Sequence, residues 1–246
     1  MVHINAQGIH YRELNELIKR KAEEGVREFQ IDNVNGQRYI GTGLAYYDLK
    51  IVINGVPGND LASFLNGPEI VVYDNGQDAI GNTMNAGQVT VHGHAGDVLG
   101  YGMRGGRLFI KGNVGYRVGI HMKEYKRQIP VLIAGGTAGD FLGEYMAGGM
   151  LVLLGLDRKP DTPLAGDYLG TGMHGGVIYL RGEVNPATLG KEVAIFDLDE
   201  SDWKELGPHL RDFCNAFECD YDEVCASKFC KLLPVSHRPY GRLYAY

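Results

Sequence analysis

"LGYGMRGGRLFIKG", residues 99–112, decides how this chain is read. Gly100, Gly102 and Gly105 satisfy the dinucleotide-binding pattern G-x-G-x-x-G, and "GTGMHGG" at 170–176 satisfies it again. That fingerprint requires a strand before it, a helix opening out of it and an acid about 20 residues further on to hold the ribose. Here the glycines run directly into "RLFIKG" and "VIYLRG", both β-type runs. The helix N-terminus that would hold a phosphate is missing. The glycines therefore serve another purpose, and the purified chain is expected to bind neither NAD(P)H nor FMN.

The purpose emerges from a repeat. The β-rich runs "KIVING", "EIVVYD", "QVTVHG", "RLFIKG", "VLIAG", "MLVLLG" and "VIYLRG" close on Gly55, Asp74, Gly93, Gly112, Gly135, Gly155 and Gly182, and the first three steps are 19 residues each. Gly36 lies 19 before Gly55, and the later steps of 23, 20 and 27 read as the same unit with loops inserted. A second column places a methionine three residues after a glycine: Gly81 with Met84, Gly100 with Met103, Gly119 with Met122, Gly143 with Met146 and Gly170 with Met173. Continued upstream, the same step gives Ala62 with Leu65 and Gly43 with Tyr46. A third column reads Asp78, Asp97, Tyr116, Asp140 and Asp167.

Self-similarity at a fixed period means a stacked architecture. Each period is one coil of a solenoid, and neighbouring coils pair as parallel strands. One coil cannot bury its apolar side, but stacked copies share a core, so the methionine column is expected inside, where an unbranched thioether fills irregular gaps. Glycine belongs at corners with positive φ or where backbones approach too closely for a Cβ. Asp74 is read as a tolerated left-handed corner residue.

Composition agrees. The chain has 246 residues, 36 of them glycine, about twice the usual ~7%. A net charge of −6 without a basic block argues against nucleic acid or an anionic membrane as partner. The start "MVHINAQGIHYREL" lacks signal-peptide features and no stretch approaches ~18 apolar residues, so a cytoplasmic location is expected. Four cysteines confined to 214–230 leave most of the chain unbridged and are read as reduced.

Two flanks differ from the repeat. "YRELNELIKRKAEEGV", 11–26, carries Leu14, Leu17, Ile18 and Ala22 on one helical face and reads as an N-terminal cap. Beyond about residue 190, two short helices broken near Gly207 and Pro208 are expected as a second cap. The expected division is a helical cap over 1–30, the solenoid over 31–190, and a C-terminal cap with an extended tail over 191–246. Arg238, Tyr240, Arg242 and Tyr244 make that tail a candidate contact arm, or a simple covering strand.

Histidine and cysteine are the remaining carriers of chemistry. "HGH" at 92–94, with His121 and His174, invites a metal site because imidazole is a common zinc ligand. On the repeat grid, however, His92 matches Lys111, His94 matches Asn113 and His121 matches Gly102, so no imidazole column forms. Cys214, Cys219, Cys225 and Cys230 show no C-x-x-C and read as free thiols. No catalytic, cofactor-binding or metal-ligating residue is assigned.

"GQDAIGNTMNAG", "AGDVLGYGMRGG", "GNVGYRVGIHMKEY", "AGDFLGEYMAGG" and "LGTGMHGG", in that order, resemble the GXGXG domain at the carboxyl end of the glutamate synthase large (alpha) subunit. The resemblance is strong over residues 31 to about 184. It implies an all-β, single-stranded, right-handed parallel β-helix, and a non-catalytic part of glutamate synthase against which catalytic domains pack. The glutamine amidotransferase and the FMN and iron-sulfur synthase parts would then be partner subunits; this chain holds no cofactor itself, and a homo-oligomer is compatible with the reading. A related repeat, in the C subunit of formylmethanofuran dehydrogenase, is the alternative family. A third reading is an independent enzyme on a left-handed β-helix, a metalloenzyme or acyltransferase, but that fold uses coils of 18 and fits a 19-residue period poorly.

Overall fold

The computed structural model describes residues 1–159 and 161–235. Arg238, Tyr240, Arg242 and Tyr244, the expected contact arm, lie outside the described residues. The elements are β1 (Val2–Asn5), α1 (Tyr11–Glu23), β2 (Glu28–Asn35), β3 (Lys50–Val56), β4 (Asn66–Val72), β5 (Ala86–Val91), β6 (Arg107–Ile110), β7 (Val131–Ala134), β8 (Ala147–Leu153), β9 (Gly175–Arg181), β10 (Val193–Asp197), α2 (Glu200–Phe217), α3 (Tyr221–Ala226) and β11 (Phe229–Pro234). Strands β1 to β9 pair in chain order and in parallel, which is a β-solenoid; β11 and β10 close the far end in antiparallel pairing. The parallel ladder begins at Val2, so β1 adds a rung ahead of the glycine repeat.

Alternation in runs such as "KIVI" puts every second side chain inside. Stacked in register, these make two continuous interior stripes, one running Ile51, Ile70, Val89, Leu108, Leu132, Leu151, Ile178 and the other Ile53, Val72, Val91, Ile110, Ala134, Leu153, Leu180. Burial of each aliphatic side chain is worth about 1.5–3 kcal/mol, and no single coil could collect it alone. The five methionines of the repeat are buried in the same core.

Register corrects the sequence alignment at three places. Ile110 pairs with Ala134, and the Gly136 amide donates to the Gly112 carbonyl at 3.0 Å, so Gly136 rather than Gly135 continues the column. A one-residue slip would turn Leu132 and Ala134 outward, and burial of the inner face forbids it. At the other end a bulge between Ile31 and Val34 sets Val34, not Gly36, opposite Gly55. Upstream of Ala62 the equivalent pair is Gly41 and Leu44 rather than Gly43 and Tyr46: Ala62 donates to the Ile40 carbonyl as Gly81 does to that of Leu61, and Leu44 donates back to Gly41 as Met84 does to Gly81.

The glycine motif is a face of the solenoid built from alternating left-handed residues. In the coil of the opening stretch Val98, Gly100 and Gly102 have φ of 52°, 64° and 57°, and the next coil repeats this at Arg117, Gly119 and His121. The outer two positions tolerate side chains because these point outward. The middle one faces inward and takes glycine, or alanine at Ala62, but nothing larger: a Cβ on Gly100 would stand 2.9 Å from Leu132 Cδ1 across the interior. Their amides bond both neighbouring coils, Gly100 to Ile80 O at 2.8 Å and Gly102 to Ile120 O at 2.9 Å, which offsets the roughly 1–2 kcal/mol a left-handed residue with a side chain costs. Asp74 is not among the positive-φ residues, so the left-handed reading of that corner is wrong. Without a positive φ the position does not call for glycine.

Helix α1 turns Leu14, Ile18 and Ala22 into the interior beside Ile4 and Phe29. Helix α2 departs from expectation. It continues through Gly207 and Pro208 for 18 residues and ends at Glu218, whose φ is 57°. Leu206, Leu210, Phe213 and Phe217 pack on the outward side chains of β6 to β9, including Phe109, Ile133, Val152 and Tyr179. That burial outweighs the loss of one helical hydrogen bond at proline. The helix therefore covers a lateral face, while β11 and β10 continue the interior stripes at the end through Cys230, Leu232 and Val193.

Candidate functional site

The polar columns are hydrogen-bonded ladders. Asp78 Oδ1 accepts from the Asp97 amide at 2.9 Å, Asp97 Oδ1 from the Tyr116 amide at 2.8 Å and Asp140 Oδ1 from the Asp167 amide at 2.9 Å. Each aspartate thus ties its coil to the next rather than to nearby amides of its own turn. His94 belongs to a parallel ladder. Its amide donates to Asn75 Oδ1 at 2.7 Å, its Nδ1 accepts from the Asn113 amide at 2.8 Å, and Asn113 Oδ1 accepts from Thr137 at 2.9 Å. The imidazole stands where the neighbouring coils use asparagine.

Of the other histidines, His92 stands apart, while His121 and His174 line one cavity. His92 lies between Tyr73, stacked at 4.7 Å, and Phe217, edge-on at 5.1 Å. Burial, aided by Lys111 and opposed by Glu218, lowers its pKa. His121 stacks on Tyr145 at 5.4 Å with Tyr101 edge-on, and His174 contacts the Gly172 carbonyl. Among the described residues no three His, Cys, Asp or Glu side chains converge in a group fit for a metal ion. All four cysteines are free; Cys214 and Cys230 are buried in different clusters, and burial with a hydrogen bond to Cys219 pushes the Cys214 thiol up to about 12. No helix in the described part is long and apolar enough to cross a membrane.

A groove of about 670 Å³ runs along the outer sheet face where α2 stops covering it. Lys50 pairs with Glu69 at 3.2 Å on one side, Arg107 pairs with Asp212 of α2 on the other, and Gln88 stands between them in register; Lys111, His92 and Glu218 also line the groove. Paired surface charges of this kind orient a contact more than they strengthen it. This groove was invisible in the sequence because it depends on where α2 lies. The runs "VLIA" and "MLVLL", apolar on both faces, were the signal that something covers β7 and β8.

Under α2 lies a buried polar cluster that sequence reasoning also missed. The Tyr179 hydroxyl donates to Asp202 Oδ1 at 2.8 Å, and Lys231 bonds Asp202 Oδ2. Asp202 also closes a capping box with Asp199 at the start of α2. Burial pushes the Asp202 carboxyl up, but the Lys231 ammonium, the Asp199 amide and the Tyr179 hydroxyl together hold it below the usual carboxylate range. A depressed carboxylate contributes stability above its unfolded value of about 3.9, and the contribution is lost as pH falls through the folded value. Asp202→Asn is expected to cost about 2 kcal/mol at neutral pH, since it removes a charge-assisted hydrogen bond and leaves half-buried Lys231 with only the more exposed Asp199, 3.4 Å away, as counterion. Thermal melts should show the gap to wild type intact above about pH 5 and closing below about pH 4. A gap independent of pH would show that the carboxylate charge is not what the cluster uses.

The model of the GXGXG motif family matches residues 13–235. An uncharacterized protein of Methanocaldococcus jannaschii is 47% identical over 248 residues, covering 98% of this chain and 95% of that one. Among solved structures, a chain of the formyltransferase/hydrolase complex from Methylorubrum extorquens, crystallised with methylofuran, superposes with a TM-score of 0.64 at 19% identity, covering 92% of this chain and 88% of its own. At that identity the likeness is one of fold. The chain belongs to the GXGXG motif family.

Proposed function

We propose that this chain is a non-catalytic structural subunit that positions the catalytic subunits of a glutamate synthase. The observation that carries the reading is the family match, which spans the glycine face, the ladders and the interior columns together. In these parts of the molecule polar side chains are engaged in holding coil to coil, as Asp78, His94 and Asn113 are. The partners would be a glutamine amidotransferase and a synthase subunit carrying FMN and an iron-sulfur cluster. A second reading, a subunit of a formyltransferase/hydrolase-type assembly, is favoured by the superposition on a chain of such a complex.

Affinity purification of the tagged chain from its native cell at low salt, followed by mass spectrometry, separates the two. Recovery of glutaminase and flavoprotein subunits in stoichiometric amounts is the expected result. Formyltransferase or hydrolase subunits in their place would establish the second reading. A chain that runs alone would defeat both.

A further inference from the structure

One coil carries residues that stacking does not require. Strand register fixes the step from Leu108 to Leu132, and Lys123 takes the place of Arg104 because their amides bond Met103 O and Met84 O alike. Relative to the preceding coil, the extra residues are Glu124–Gln128, closed by a bridge between Tyr125 and Gln128. Insertions in stacked repeats map to loops on one face, often the binding face. This loop walls a cavity of about 800 Å³.

The floor is set by the columns. Lys123, Ala147 and His174 are successive rungs of one outward column, with amides bonded to Met103, Met122 and Met146 carbonyls. Alanine in the middle rung leaves a depression between the two larger neighbours. The stacked His121 and Tyr145 form one wall and Tyr125 with Lys126 the other. Glu124, the acid in the loop, is turned to the Gly149 amide at 3.1 Å. The mouth is therefore aromatic and basic. The loop itself reinforces this: Lys126 and Arg127 are both exposed on it, beside Lys123 of the floor, with Glu124 as its one acid, in a chain whose net charge is −6. Tyr101, Tyr125 and Ile129 beside it are 42%, 49% and 55% exposed.

We propose that this cavity is the socket for an acidic segment of a partner subunit, entered by an apolar or aromatic anchor side chain. Charge complementarity selects the occupant, since an exposed basic loop beside an aromatic cavity attracts acidic surface. Exposed tyrosine and arginine around a pocket are the residue types that dominate binding energy at interfaces. The proposal rests on the subunit reading above and assigns where that contact is made.

The test uses the native complex with the full-length chain. Lys126→Glu with Arg127→Glu, both exposed, should lower the recovery of the partner subunits about ten-fold while leaving the melting temperature unchanged. Tyr125→Ala should weaken association without altering its salt dependence, and Lys19→Glu on the exposed side of α1 should do neither. Wild-type association should weaken as salt rises from about 0.05 to 0.5 M, and the double reversal should flatten that dependence. Undiminished recovery with the double reversal overturns the socket while sparing the subunit reading; failure of the wild type to recover any subunit overturns both. A homodimer seen by light scattering, dissolved by the double reversal, would assign the cavity to a second copy and also overturn the proposal.

Discussion

Replacing Gly55 by alanine is expected to lower stability by about 4 kcal/mol, a large share of the about 5–15 kcal/mol that holds a typical domain folded. Two separate costs meet at this residue. Its φ is 119°, a region that L side chains rarely adopt, and a Cβ would stand 2.2 Å from the Val34 carbonyl oxygen and 2.9 Å from the Val34 nitrogen. The obstruction is backbone, so no rotamer change relieves it. Relief requires opening the β2 to β3 ladder at the bulge, where Val34 and Gly55 are paired. Urea unfolding of the purified variant measures the loss. A midpoint within error of wild type would show that the bulge moves freely and that the close approach has no energetic weight. Gly43→Ala is the matched control: it has a positive φ of 68° but nothing within 4 Å of its Cβ, so it should cost only about 1–2 kcal/mol.

The second large effect is expected at Phe213, where alanine should cost about 3–5 kcal/mol. Phe213 is fully buried, meets Phe109 of β6 edge-on at 5.8 Å and Phe217 at 4.7 Å, and is the centre of the contact that holds α2 to the sheet. The loss should be local before it is global. Hydrogen exchange should show the amides of 200–217 opening while those of β3 to β5, outside the helix contact, stay protected. Uniform loss of protection across the solenoid would instead make α2 part of one cooperative unit with the coils. Because α2 lines the polar groove, detaching it also removes that groove's wall, including Asp212, Phe217 and Glu218.

These two residues separate the two kinds of order in the molecule. Gly55 acts within the stack, and the stack is largely one-dimensional: each coil meets its neighbours, so period and column identity are written in the chain. Gly100, Met103 and their equivalents were legible because a side chain that must face the same neighbour in every coil recurs at the same spacing. Phe213 acts across the stack, joining residues about a hundred positions apart, such as Phe109, and no period announces such a pair.

The sequence by itself therefore determined the parallel solenoid, the buried methionine column, the equivalence of His94 with Asn113, and the inward face of α1. It misplaced Gly135 for Gly136 and Gly43 for Gly41, because spacing counts residues while register is set by which side chains are buried. Only the tertiary structure decided that α2 runs unbroken through Pro208, since burial against β6 to β9 overrides the local preference of proline. It alone brought Tyr179, Asp202 and Lys231 together under that helix. It also decided that the glycine face needs small residues at its middle position, because the atom a Cβ would strike, Leu132 Cδ1 for Gly100, comes from the next coil across the interior, a contact set by the cross-section of the coil and not by any local motif.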